Sequence, residues 1–290
     1  MSVGGDRVGL AWRDELAAQI FLHLDSIDHL EIIAEREMSA SRRRLDALRD
    51  LASQVPLSLH GVSLGLASSE SVSDERLERI ARLVERVRPA HWSEHLSFVR
   101  AGGIEIGHLA AAPYARPTLL GSLRNLERAR EVVGALPQLE NIATLLTPPG
   151  SCWTEAEFIC RVMRGAGAAL LLDLHNLYAN ACNFNRDPFA ILSALPLEQV
   201  ASVHLSGGHW DDGSDGRPRL IDDHIHDPPP CIYDLLEALA FKAPRHLTVI
   251  IERDGRYPEF GALLEQIAKA RAALASGRAR RRETGLQQVA

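Results

Sequence analysis

The residues able to do chemistry fall at the ends of apolar runs. His60 ends "LSLH", His95 follows "HWSE", and Glu140 with Asn141 ends "QLEN". Asp173 ends "LLLD", His204 lies in "SVHL", and Glu252 ends "TVIIE". Glu31 and Glu35 belong to a further run, and His209, Asp222, His224 and His226 follow the run at 200–206. Two spacings are suited to chelation: Asp222-Asp-His224, and Asp173 with His175 and Asn176 within one turn. Carboxylates gathered without a cation repel and take up protons. Di- or trivalent metal ions remove that conflict and accept imidazole and carboxylate together. The absence of thiolates from this set points to iron, manganese or zinc.

Such a set needs elements that deliver successive run ends to one place. Eight short apolar runs, at 7–12, 29–35, 56–64, 90–96, 137–143, 168–176, 200–206 and 246–254, alternate with helical spacings. The helical segments are near 13–24, 40–53, 73–87, 119–135, 154–165, 187–194, 231–240 and 258–274. The clearest has Ser73 as N-cap and Leu77, Ile80, Leu83, Val84 and Val87 as its inward stripe. Eight alternating β and α signals predict a parallel sheet closed as a (β/α)8 barrel, whose strand C-termini share one mouth. A doubly wound sheet is the alternative, but no Gly-x-Gly-x-x-Gly follows any run.

The chain has 290 residues and 46% hydrophobic content, enough for one barrel over 1–275. The Arg-rich segment 276–290 has no apolar stripe and reads as frayed or disordered. A net charge of −6 argues against nucleic acid as the partner. Cys152, Cys160, Cys182 and Cys231 form no Cys-x-x-Cys pair, which argues against a thiolate metal site and a disulfide framework. No signal peptide or membrane span is evident, so a cytoplasmic protein is expected. His23, His29, His91, His108 and His246 do not share the strand-end placement and read as structural or surface residues. Asn180 and Asn183 read as caps of the turn after the sixth run.

Taken in order, "LSLHGVSLGL", "SEHL", "LEN", "LLLDLHNLYANACN", "SVHLSGGH", "IDDH" and "IERD" resemble the multinuclear non-haem iron-dependent oxidative enzymes. This family was first described as a domain of unknown function (DUF692, UPF0276) and is typified by the methanobactin biosynthesis oxidase. The resemblance covers about 7–265 and implies a xylose-isomerase-like TIM barrel, distantly similar to the metal site of endonuclease IV. It implies that His60, His95 and Glu140 hold one iron, with Glu140 bridging to a second held by Asp173, His204 and Glu252. Asn176, Asp222 and His224 would hold a third, so that two or three irons act with O2 as co-substrate. Glu140, Asp173 and His204 are the implied catalytic centre, and His209, Arg253 and Asp254 the candidate substrate contacts.

The implied substrate is a ribosomally made precursor peptide, modified at a Cys or C-terminal residue and delivered by a small leader-binding partner. Four positions depart from the family pattern: Glu94 for Asp, His175 for Asn, Asn183-Phe184-Asn185 for Asn-His-Gly, and Arg253 for Trp. The loop from His209 to Asp222 is long enough to act as a lid. A trinuclear zinc phosphodiesterase would use the same ligand types but wants a basic groove, whereas "HWDDGSDG" is acidic. A sugar isomerase would want a Lys or a His/Asp pair at the mouth, and Lys242 and Lys269 lie elsewhere. A non-catalytic metal-bound scaffold for peptide processing is the remaining alternative, separated from an oxidase by O2 consumption.

Overall fold

The computed structural model describes residues 5–213 and 215–285. Its strands are β1 (Arg7–Ala11), β2 (Leu30–Ile33), β3 (Leu57–Gly61), β4 (His91–His95), β5 (Phe98–Ala101) and β6 (Ile104–Ala110). They continue with β7 (Gln138–Glu140), β8 (Leu170–Asp173), β9 (Val200–Leu205), β10 (Gly208–Asp212), β11 (Pro218–Asp222) and β12 (Thr248–Ile251). Eight of them form a closed barrel in the order β1-β12-β9-β8-β7-β4-β3-β2. These eight coincide with the eight apolar runs. β5–β6 and β10–β11 are separate two-stranded sheets. The chain divides into two compact units, Met1–His29 with Leu171–Ala290, and Leu30–Leu170.

In the unit 30–170 the parallel pairs are β2–β3, β3–β4 and β4–β7. Register sets the chemistry here: His60 lies beside Ser93, and His95 beside Glu140. Period-two alternation puts Ser58 and His60 on one face of β3, with Leu57 and Leu59 on the other. All four are buried, as expected of a parallel strand covered on both sides. The helix Asp74–Val87 buries Leu77, Ile80, Leu83 and Val87. Each such side chain stabilises the fold by about 1.5–3 kcal/mol. Ser73 stands at the N-cap but makes no side-chain capping bond.

In the other unit β1 pairs with β12 and β12 with β9. The close approach of His29 to β1 requires a glycine, since a Cβ on Gly9 would lie 1.8 Å from the His29 carbonyl oxygen. The segment after β8 is not a turn capped by asparagines but a helix, Leu174–Asn183. Asp173 is its N-cap, accepting a 2.7 Å hydrogen bond from the Asn176 amide. The expected lid, 209–222, contains the antiparallel hairpin β10–β11.

The C-terminal segment also differs from expectation. The last helix runs Phe260–Glu283, through most of the stretch read as frayed. Arg278 is buried and donates to Asp6 and to the carbonyls of Ala240 and Ala243. Arg281 donates to the carbonyls of Phe241 and Lys242. These arginines dock the helix end by capping carbonyls that end the helix Pro230–Lys242. Residues 286–290 lie outside the described residues. No helix among the described residues is long and apolar enough to cross a membrane.

Candidate metal centre

In the unit 30–170, His60, His95 and Glu140 bring ligand atoms within 4.8 Å of one another. The two imidazole Nε2 atoms lie 3.2 and 3.4 Å from one oxygen, Glu140 Oε2. His95 Nδ1 is 3.2 Å from the Gly61 carbonyl, which can only accept, so this nitrogen carries the proton. His60 Nδ1 is 2.8 Å from Ser93 Oγ, whose hydroxyl can in turn donate to Leu59 O at 3.5 Å. His95 is therefore held with Nδ1–H outward and an Nε2 lone pair facing a carboxylate, and the Ser93 bond allows His60 the same arrangement. Lone pairs aimed at an anion are repulsive unless a proton or a cation lies between them. A ring fixed through Nδ1 and ligating through Nε2 is the common arrangement of metal-bound histidine.

Glu94 supports this cluster from behind. It is fully buried and accepts from the amides of Leu64 (3.1 Å) and His95 (2.9 Å). Burial, and then the nearby Glu35 carboxylate, push its pKa well above the ordinary value. The longer Glu in place of Asp reaches the loop after β3, and a Cβ on Gly61 would lie 2.7 Å from its Oε2.

In the other unit, Asp173, His204 and Glu252 likewise place ligand atoms within 4.8 Å of one another. His204 Nδ1 is 3.1 Å from Glu252 Oε2. His224 is encircled by carboxylates. Its Nε2 is 2.8 Å from Asp222 Oδ2, and its Nδ1 is 3.4 Å from both Glu252 Oε2 and Asp254 Oδ2. His224 occupies the left-handed backbone region, with φ of 57°. Its amide donates to Gly207 O and its carbonyl accepts from Asp254 N, which holds that conformation.

Charge explains the protonation here. Burial alone would depress His224, but Glu252 and the bonds to Asp222 and Asp254 raise its pKa well above the ordinary value. Burial would raise Asp222, yet hydrogen bonds from His175 and His224 bring it down to about 2. Glu252 is lowered in the same way, its burial outweighed by His224 and His204.

Arg13 was not singled out by sequence reasoning. It is a buried guanidinium that hydrogen-bonds Asp254 and lies 3.6 Å from Glu252. A lone Arg at the end of the first run carries no spacing signal, so only its position after "GLAW" could have drawn notice.

Asn176 is buried in the first turn of the helix that Asp173 caps. His175, one of the departures, is buried with Nδ1 2.8 Å from Asp222 Oδ1, and so orients that carboxylate. Asp254, expected as a substrate contact, belongs with His224 and Glu252 in a three-residue donor cluster. Arg253 is directed elsewhere: it donates to Gly255 O, Asp227 and Arg256 O, and fixes the loop after β12. His209 pairs with Asp223 at 2.6 Å.

Comparison with known proteins identifies the family. The chain is 33% identical over 244 residues to a UPF0276 protein of Anaeromyxobacter sp. (strain Fw109-5), covering 84% of each. It is 32% identical over 252 residues to a UPF0276 protein of Caulobacter vibrioides, covering 87% of this chain and 88% of that one. Similar solved folds include a D-tagatose 3-epimerase-like protein (TM-score 0.60, 15% identity, 96% and 99% covered). Another is a xylose isomerase-like TIM barrel protein from Mycobacterium smegmatis in complex with magnesium (TM-score 0.58, 11% identity, 94% and 97% covered). At these identities the likeness is one of fold. Residues 7–275 match the family described as RiPP precursor modification enzyme MbnB/TglH/ChrH, and the chain belongs to that family of enzymes acting on ribosomally synthesised precursor peptides.

Proposed function

We propose that the chain is a multinuclear non-haem iron enzyme that uses O2 to oxidise a precursor peptide at a cysteine or C-terminal residue. The observation that carries this reading is the pair His60 and His95, whose Nδ1 atoms are hydrogen-bonded and whose Nε2 atoms meet at Glu140. That geometry, in a chain of this family, fits a cation at the Nε2 side. His60, His95 and Glu140 would hold one ion; Asp173, His204 and Glu252 a second; Asn176, Asp222 and His224 a third. Glu140, with two oxygens, is the proposed shared carboxylate.

Bound iron would supply electron transfer to O2 and a Lewis-acidic anchor for a thiolate or carboxylate. The chain's own residues do the rest. Ser93 and Gly61 orient the two imidazoles, His175 orients Asp222, and Arg13 holds Asp254. The burial of Asp173, His175 and His204 keeps bulk water from these side chains. A small leader-binding partner is proposed to bring the peptide.

The test is mass spectrometry of the precursor peptide encoded beside this gene, co-expressed with the iron-loaded enzyme and any small neighbouring protein. A mass change that requires air is expected. An unchanged peptide, or a change that persists without O2, would overturn the oxidative reading.

A further inference from the structure

Asp222 and Asp223 are adjacent, and strand alternation sends them to opposite faces. In the β10–β11 ladder His209 is opposite Ile221 and Gly208 opposite Asp222. Asp223 follows two residues after Ile221, on His209's face and diagonal to it. Asp222 accordingly meets His175, Ser206 and His224, while Asp223 meets His209 and His226. His209 Nδ1 is 2.6 Å and His226 Nδ1 2.9 Å from the same oxygen, Asp223 Oδ2. The two rings have centroids 5.7 Å apart.

We propose that His209, Asp223 and His226 form a second metal site, open to solvent, for a borderline divalent transition ion such as zinc. Three observations support it. The donor set is two imidazoles and one carboxylate, whose ligand atoms converge within 4.8 Å. Imidazole pairs select zinc, nickel, cobalt or copper over magnesium and calcium. The scaffold is preset: Asp223 Oδ1 accepts from the Ile225 amide at 3.0 Å. His226 is also held close to β10, because Gly207 has no Cβ. A Cβ there would fall 2.5 Å from His226 O and 2.4 Å from Asp227 O.

The third observation is exposure. His209 and His226 are 45% and 38% exposed at their side chains, and Asp223 is 14% exposed. An ion can thus enter and leave without opening the barrel. Tetrahedral ligands about 2.0–2.1 Å from zinc are separated by roughly 3.3 Å. The present N–O distances must therefore open by about half an ångström, which half-exposed rings can do. Three protein ligands leave a fourth position for water or for a ligand from solution, as in open zinc sites.

The test counts exchangeable zinc. The as-purified full-length protein, keeping whatever metal it carries, is titrated with Zn2+ against a chromophoric chelator. One equivalent beyond the resident metal is expected. His209→Ala and His226→Ala should each weaken that equivalent at least about 100-fold, since losing a ligand exceeds the 10–100-fold effect of losing an outer-shell contact. His60→Ala should keep it. In the unsubstituted protein, the imidazole NMR signals of His209 and His226 should shift on adding Zn2+, a readout that needs no variant. An absent extra equivalent, or one lost in His60→Ala and kept in His226→Ala, would overturn the assignment.

Discussion

Ser93→Ala isolates the tautomer lock on His60. The hydroxyl is 2.8 Å from His60 Nδ1, and both residues are almost completely buried. Removing it leaves a buried N–H without its acceptor, at a cost of about 1–3 kcal/mol. The metal-free protein can recover part of this. The ring can shift its proton to Nε2 and donate to Glu140 Oε2, 3.2 Å away. The metal-loaded protein cannot, because the proposed ion needs the Nε2 lone pair. Loss of one such outer contact lowers metal affinity by about 10–100-fold, or roughly 1.4–2.7 kcal/mol. The variant should therefore release metal to a competing chelator at about 10–100-fold lower chelator concentration. Its thermal midpoint should fall more in the loaded form than in the metal-free form. Equal falls in the two forms, or unchanged metal retention, would refute the lock.

Glu140→Gln should lose metal while keeping the fold, because an amide can donate to the two Nε2 atoms that a carboxylate can only repel. Elemental analysis and thermal unfolding of the metal-free form check this, with His23→Ala, whose ring stacks on Phe260, as the comparator that keeps its metal. The metal-free protein should lose stability on acidification between about pH 4 and pH 2. Asp222 titrates at about 2 when folded against 3.8 unfolded, so its contribution, about 2 kcal/mol by linkage, is present above the unfolded value and lost as pH falls through the folded one. Denaturant titrations at stepped pH on the protein and on Asp222→Asn measure the difference. Metal loading near neutral pH should release a proton from His224, whose folded pKa is raised well above 6.5. Calorimetry in buffers of different ionisation enthalpy reads that proton, and a buffer-independent heat would exclude it.

The barrel strands were legible because each is a short apolar run bounded by turn residues, and the candidate donor residues because they recur at run ends. The helix Leu174–Asn183 was not. Leu174, His175, Asn176, Leu177, Ala179, Asn180 and Ala181 are all buried, so it has no polar face from which to read a helical period. Its three asparagines and one histidine are also weak helix formers. The β10–β11 hairpin was hidden differently: half of its strand residues are exposed, and "HWDDGSDGRPRLID" shows no apolar alternation. The end of the last helix replaces an apolar stripe with Arg278 and Arg281, which count as polar in any pattern. Both are buried and donate to carbonyls. Arg13 and Ser93 illustrate a further limit. Each acts through partners distant in sequence, and such contacts leave no periodic trace.

The surroundings of His224 bear on how a barrel with so many buried acids folds before metal arrives. Asp222, Glu252 and Asp254 place three carboxylates around one ring. Arg13 hydrogen-bonds Asp254 and lies 3.6 Å from Glu252, so one guanidinium serves two carboxylates and Asp222 is left to be balanced by other groups. Unbalanced burial of such charges costs several kcal/mol each. The raised pKa of His224 supplies the missing cation, because an imidazolium donates from both nitrogens toward carboxylates on either side. That stabilisation is complete below pH 6.5 and fades as pH rises through the raised folded value. A metal ion would take over the same role by displacing the proton, with the 2.8 Å separation of His224 Nε2 and Asp222 Oδ2 opening to admit it. Acid would then compete with metal at His224, while alkaline pH would weaken the metal-free fold and favour loading. If His224 holds metal as proposed, the same geometry stabilises the metal-free fold through a proton and the loaded protein through an ion, and the proton on His224 is what the two states would exchange.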